Sequence, residues 1–273
     1  MSATGNTTVN QATDAPSIEI QWRRLRADQL RERAKQNAIV IVPVGAMEQH
    51  GPHLPVEVDS LLAETIALRT ARLMVSTTPV VVLPCLWTGI SEHHMSFGGT
   101  ISLKFATFSA LLTDVCHSLV RHGFRRIVLL NGHGGNDNGL RVIADELASI
   151  LKVSVVQFTY WHAAVQPIAA LLERQKRLLH ACEAETSMLM ALRPELVATD
   201  QFAAAEVPCT KHTEELVGPG FYRWRSLAAM ATSGVVGFPS AASASKGQRL
   251  LDAITAHVAE RLVLKEIWEQ TWE

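Results

Sequence analysis

The chain has 273 residues, 48% hydrophobic and 19% charged, a balance that supports a large buried core and excludes disorder over most of the length. Its 25 Lys and Arg stand against 26 Asp and Glu, so no global field draws it to nucleic acid or to an anionic membrane. No uninterrupted apolar run approaches the ~20 residues of a membrane-spanning helix, and substrate recognition must therefore rest on a local site.

The opening segment, MSATGNTTVNQATDAPS, lacks the basic and apolar stretches of a secretory signal. It reads as a polar, disordered tail over 1–17 ahead of a single domain over 18–273, and a cytoplasmic protein is expected. Cysteines stand at 85, 116, 182 and 209 with no CxxC pair. Reduced, buried thiols are expected rather than a zinc ribbon or a disulfide framework.

In chain order, the first apolar run is Ala38 to Val44, short, rich in β-branched residues and ended by Gly45, as in a strand buried on both faces. Similar runs at 80–83, 127–130 and 153–158 predict three more strands. Helical periodicity covers 59–74, the Phe108, Leu111, Leu112, Val115, Leu119 and Val120 stripe, 138–150, 164–178, 184–192 and 246–268. Strands alternating with helices predict an α/β fold, a mainly parallel sheet covered on both faces in three α/β/α layers. The Gly- and Pro-containing stretch 206–240 has weak periodicity and reads as a long excursion near the site or a subunit contact. The Trp-rich end, with Trp268 and Trp272, reads as packing or a subunit contact.

Ligands bind beyond the carboxyl ends of strands in open parallel sheets. The residues there are polar and metal-competent: Glu48 to His53 after the first strand, Asn131 to Asn136 after the third, Tyr160 to His162 after the fourth. Glu48 and His50 are two residues apart, so extended backbone would project both to one side, where they could hold divalent cations. Asp59, at the next helix start, could cap that helix or bridge two metals. His133 sits in a glycine-flanked turn open to a metal or, alternatively, to an anion at a helix N-terminus. His180, Glu183 and Glu185 precede or open an apolar helix, where the macrodipole favours carboxylates.

The segments PVGAMEQHGPHLPVEVD (43–59), SEHHMSFGGT (91–100), LLNGHGGN (129–136), YWHA (160–163) and HACEAETSMLMAL (180–192) together resemble the creatininase family, in order and in spacing. The resemblance spans roughly residues 38–200 and implies an α/β fold, a divalent metal centre of zinc, manganese or iron, an oligomer that is often a hexamer, and hydrolysis chiefly of amides. It implies metal ligands at Glu48, His50, Asp59, His133 and Glu185, with Asp59 as the bridging carboxylate. It also implies proton transfer at His180, with Glu183 as a second candidate, and substrate contacts at Trp161 and His94. The family's namesake enzyme has an aromatic residue and a glutamate where this chain has Gly134 and Gly135, which widens the pocket and argues against creatinine as substrate. The implied reaction opens a small cyclic or linear amide with a hydroxide held between two cations. Lactone hydrolysis, short-peptide cleavage and a non-catalytic metal-binding role are the alternatives.

Overall fold

The computed structural model describes residues 18–207 and 222–269. The polar tail, the middle of the 206–240 excursion with Cys209, and Trp272 lie outside the described residues.

Four strands, β1 (Ile39–Val44), β2 (Val80–Val82), β3 (Arg126–Asn131) and β4 (Ser154–Thr159), form one sheet in the order β2-β1-β3-β4, and every pairing is parallel. Period-two alternation divides each strand between two cores. Ile39, Ile41, Val128 and Leu130 face one hydrophobic cluster, and Val40, Val42, Ile127 and Leu129 face the other. A strand buried on both sides has no solvent face to mark with polar residues, and this is why these runs are continuously apolar.

Among the described residues the α-helices are α1 (Ala27–Lys35), α2 (Val58–Met74), α3 (Phe105–Arg121), α4 (Asp137–Leu151), α5 (Tyr160–Ala163), α6 (Val165–Leu171), α7 (Glu183–Leu192), α8 (Phe202–Ala205) and α9 (Ala244–Leu262). Helices α2, α6, α7 and α9 cover the first core, while α3 and α4 cover the second, completing the three layers. No helix among the described residues is long and apolar enough to cross a membrane.

Two helices differ from expectation. The helix expected over 164–178 is α6 only, ending at Leu171 and preceded by the separate turn α5. Leu172 is extended, and the backbone N–H groups of Glu173 and Arg174 donate to the Glu183 carboxylate at 2.8 and 3.1 Å instead of to a following turn. A distant buried acceptor ends the helix, overriding local periodicity. The helix expected over 246–268 begins earlier, with the Ser243 hydroxyl capping Lys246 N–H at 3.2 Å, and ends at Leu262. The half-buried Trp268 then turns back, its indole N–H donating to the Leu262 carbonyl at 2.8 Å and its ring under the Arg126 guanidinium, so it packs on its own chain. The thiols of Cys85, Cys116 and Cys182 are free, and burial pushes each up to about 12, as inert core groups.

Candidate metal centre

The loop leaving β1 buries Glu48 and His50, and the His50 ring is oriented by its own neighbourhood: Nδ1–H donates to the Glu48 backbone carbonyl at 3.0 Å. This leaves the Nε2 lone pair aimed inward, the arrangement that holds a ligating imidazole in one tautomer. Asp59 lies one residue inside α2 and does not cap it. Its buried carboxylate instead spans two histidines, Oδ1 3.2 Å from His50 Nε2 and Oδ2 2.9 Å from His133 Nδ1.

His133 is fixed by the loop after β3. The Asn131 side chain accepts from His133 N–H at 3.1 Å and donates to its carbonyl at 2.7 Å, and Asn136 ties the same loop to Gly45 and Ile90. His133 Nε2–H donates to the Ile90 carbonyl at 3.0 Å, so Nδ1 faces Asp59 and, at 3.2 Å, Glu48 Oε1. Glu185, in the first turn of α7, brings a third carboxylate to the same point from a separate segment.

Glu48 groups with His50 and His180 and with His93 and His94, and the five ligand candidates form two triads, Glu48, Asp59, His133 and His50, Asp59, Glu185, the atoms of each group within 4.8 Å of one another. Asp59 belongs to both. Although His50 and Asp59 approach closely, His50 Nε2 and Asp59 Oδ2 make no hydrogen bond, and neither do Glu48 Oε2 or Glu185 Oε2. Buried polar atoms left without hydrogen bonds are costly, and here four of them belong to one cluster of donor atoms. A mixed imidazole and carboxylate set of this kind fits zinc or manganese. All five ligand positions read from the sequence are thus brought together.

A layer of three residues surrounds the triads. The Gln49 side chain is oriented by two backbone groups, its oxygen accepting from Gly51 N–H at 2.8 Å and its nitrogen donating to the Gly234 carbonyl at 3.1 Å. The same nitrogen lies 2.9 Å from His94 Nδ1, which therefore accepts, leaving His94 Nε2–H to donate toward Glu48 Oε1 at 3.3 Å. His180 Nε2–H donates to the Gln49 backbone carbonyl at 3.0 Å, and His180 Nδ1 presents its lone pair to the centre, 3.6 Å from Glu48 Oε1. Gln49 was not singled out in the sequence, although it stands between two ligands.

Glu183 is a correction. Its carboxylate is fully buried away from the cavity, bonded to Lys246 Nζ at 2.6 Å and to the two N–H groups that end α6. It has no access to a substrate and holds the 173–182 segment in place.

Burial opposes charge on the His50 imidazole, yet Asp59, Glu185 and Glu48 together hold it up at about 9; burial, with the Asp59 charge beside it, pushes Glu185 up to about 8 against the pull of His50. Cation binding requires a neutral His50 and an ionised Glu185, so protons compete below about 9 and about 8 respectively. Metal affinity is accordingly expected to rise with pH through 7 to 9, with roughly one proton or more released per chain on zinc binding at pH 7. Calorimetry in buffers of different ionisation enthalpy measures this, and binding without proton release contradicts the ligand assignment.

A cavity of about 530 Å³ opens above the centre, lined by Trp161, His94, His180, Gly134 and Gly135 as expected, and also by the Tyr222 to Arg225 arm. Gly134 has room, since a Cβ there meets only Trp161 at 4.0 Å. Gly135 has none: a Cβ would sit 2.5 Å from His133 Nε2 and 2.8 Å from His93 Cε1. His93 and the Ile90 carbonyl occupy the space into which a side chain at 135 would project, and a carboxylate reaches the cluster instead from α7, as Glu185.

The family model described as creatinine amidohydrolase matches residues 23–262. The chain is 33% identical over 199 residues to a creatinine amidohydrolase of Pseudomonas putida, covering 67% of this chain and 74% of that one. It is 31% identical over 228 residues to a mycofactocin precursor peptide peptidase of Mycolicibacterium smegmatis, covering 82% and 84%. A solved manganese creatininase superposes with a TM-score of 0.77 at 27% identity, covering 93% of this chain and all (100%) of that one. A family match over most of the chain, together with a metal-competent cluster built on the same segments, places this protein in the creatininase family.

Proposed function

We propose that the protein is a metal-dependent amidohydrolase that cleaves a small cyclic or linear amide, with two divalent cations, zinc or manganese, held by the triads that share Asp59. The carrying observation is that shared carboxylate, flanked by three buried ligand atoms, Glu48 Oε2, His50 Nε2 and Glu185 Oε2, that make no hydrogen bond. Iron suits the same donors. Such cations supply Lewis acidity and bring the pKa of water toward about 7.

The chain's own residues account for the rest. Glu48 and Asp59 hold the charge of the floor, and His94, locked by Gln49, orients Glu48. His180 has its Nδ1 lone pair toward the centre, so it acts first as a base, taking a proton from the attacking water, and then returns that proton to the departing nitrogen. Trp161 offers a flat apolar wall to the substrate beside the open space at Gly134.

The cavity volume exceeds what a single five-membered ring occupies and suits a larger ligand. Short-peptide cleavage is therefore the second reading, favoured by that volume and by the peptide peptidase relative. Exposed Trp87, Met95, Ile101 and Phe105, all from one segment, support a homo-oligomer in which a second copy covers them. Zinc- or manganese-loaded protein incubated with hydantoins, lactams, imides, formamides and short peptides, and read by mass spectrometry, is expected to cleave members of one class and to leave creatinine nearly untouched. Loss of all cleavage on chelation and its return with metal is the supporting result. A loaded protein that cleaves none of them contradicts the proposal.

A further inference from the structure

The upper cavity carries charge that neutral-amide hydrolysis does not require. Among the described residues, and apart from the carboxylates of the metal centre, its carboxylate and guanidinium lining is Glu92, Arg223 and Arg225. The two arginines come from one arm, in which they alternate with Tyr222 and Trp224. Tyr222 is 82% exposed and Trp224 56% exposed although both border the cavity, so large aromatic faces stand open at its mouth. Exposed aromatics around a concave site mark a surface that a ligand covers. The Arg225 guanidinium donates to the Ala229 carbonyl at 3.1 Å, a local bond at the end of the arm. Below it, Leu227, Met230 and Val236 make the wall apolar between the arm and the metal centre.

Resting on the hydrolase reading above, we propose that the substrate is an amide with an apolar or aromatic body and an anionic oxygen group, a carboxylate or a phosphate, remote from the scissile bond. Arg223, exposed at the mouth, binds the anion, Arg225, already engaged with the Ala229 carbonyl, adds positive charge beside it, and Trp161 and Trp224 flank the body. Guanidinium forks match both oxygen anions in geometry and charge. The amide bond then lies over the triads at the cavity floor while the charged end stays at the mouth, so the arm sets which amides are presented to the centre.

Calorimetric binding of three probes, N-acetyl-L-phenylalanine, its neutral amide and phenyl phosphate, tests this without turnover, in both chelated and zinc-loaded protein. At least one anionic probe is expected to bind about tenfold more tightly than the neutral amide, a difference of about 1.4 kcal/mol. The two anions separate carboxylate from phosphate preference. Arg223→Gln together with Arg225→Gln is expected to abolish the preference while leaving neutral-probe affinity unchanged, and Arg223→Lys, which keeps charge and loses the fork, to fall between. Arg223 is exposed, so its single variants test the idea even where altering Arg225 disturbs the arm. Equal binding of charged and neutral probes, no binding of either anion at millimolar concentration, or a preference that survives both substitutions overturns the assignment. An anion preference in a protein that cleaves no amide would leave the arm's role standing and remove only the hydrolase reading. Cleavage of amides without charge preference does the reverse.

Discussion

Replacing Glu185 with glutamine is expected to cost the protein one metal site and to lower turnover by roughly 10²-fold or more, since even outer-shell partners of metal ligands are worth about 10–100-fold. The variant is unusually clean. Burial holds the Glu185 carboxyl up at about 8, so in metal-free protein at pH 7 it is already mostly neutral, and a glutamine amide of nearly the same shape replaces an uncharged acid. The metal-free Tm should hardly move. What changes is the stabilisation that zinc or manganese adds, because a ligand binding only the folded state raises stability in proportion to the logarithm of its occupancy. Elemental analysis should find the His50, Asp59 and Glu185 triad depleted and the Glu48, Asp59 and His133 triad retained, so metal content should fall toward half. Full metal content with normal turnover contradicts the assignment of Glu185 as a ligand.

The sheet was legible because a strand buried on both faces leaves a sequence mark that nothing else in this chain imitates. Val40, Val42, Ile127 and Leu129 serve one core and their alternates the other, so each run is apolar throughout and short. The end of α6 was not legible. Nothing in the residues around Leu171 announces it, because the terminating acceptor is the Glu183 carboxylate from the start of another helix. Periodicity describes which face is apolar and says nothing of where a distant partner withdraws two N–H groups.

At the site, the five candidate ligand residues lie in long motifs that folding brings together. The weak point was α7. Glu183 and Glu185 are both acidic residues of its first turn, and spacing from the helix start cannot rank them. They are two residues apart, hence roughly 200° apart around the helix axis, and must face different neighbours. One looks into the metal centre and the other toward α9 and Lys246. Gln49 was not singled out because its bonds run to the backbone groups of Gly51 and Gly234, the latter far away in sequence, and Arg223 and Arg225 because their place on the cavity wall is set by folding.

That division of α7 gives Glu183 an effect opposite in kind to that of Glu185. Glu183→Gln is expected to retain metal and to lose stability, by about 3 kcal/mol, the low end for breaking a buried ion pair. The low end applies because Lys246 keeps Glu173 at 2.9 Å and the Ala241 carbonyl at 2.7 Å. For a chain of this length the matching fall in Tm is on the order of 10 °C. A glutamine oxygen still accepts from one of the Glu173 and Arg174 N–H groups but points an amide donor at the other, so the 173–182 segment loosens while α7 stays helical. His180 rides on that segment. Its Nε2–H bond to the Gln49 carbonyl should weaken, lowering kcat with little change in KM, whereas metal per folded chain should match the parent. Removing both charges, Glu183→Leu with Lys246→Met, should not restore the Tm, because the two backbone N–H groups would then have no acceptor at all. Differential scanning calorimetry alongside elemental analysis separates the outcomes. A Glu183→Gln protein of parental Tm that has lost metal would place Glu183 at the centre after all.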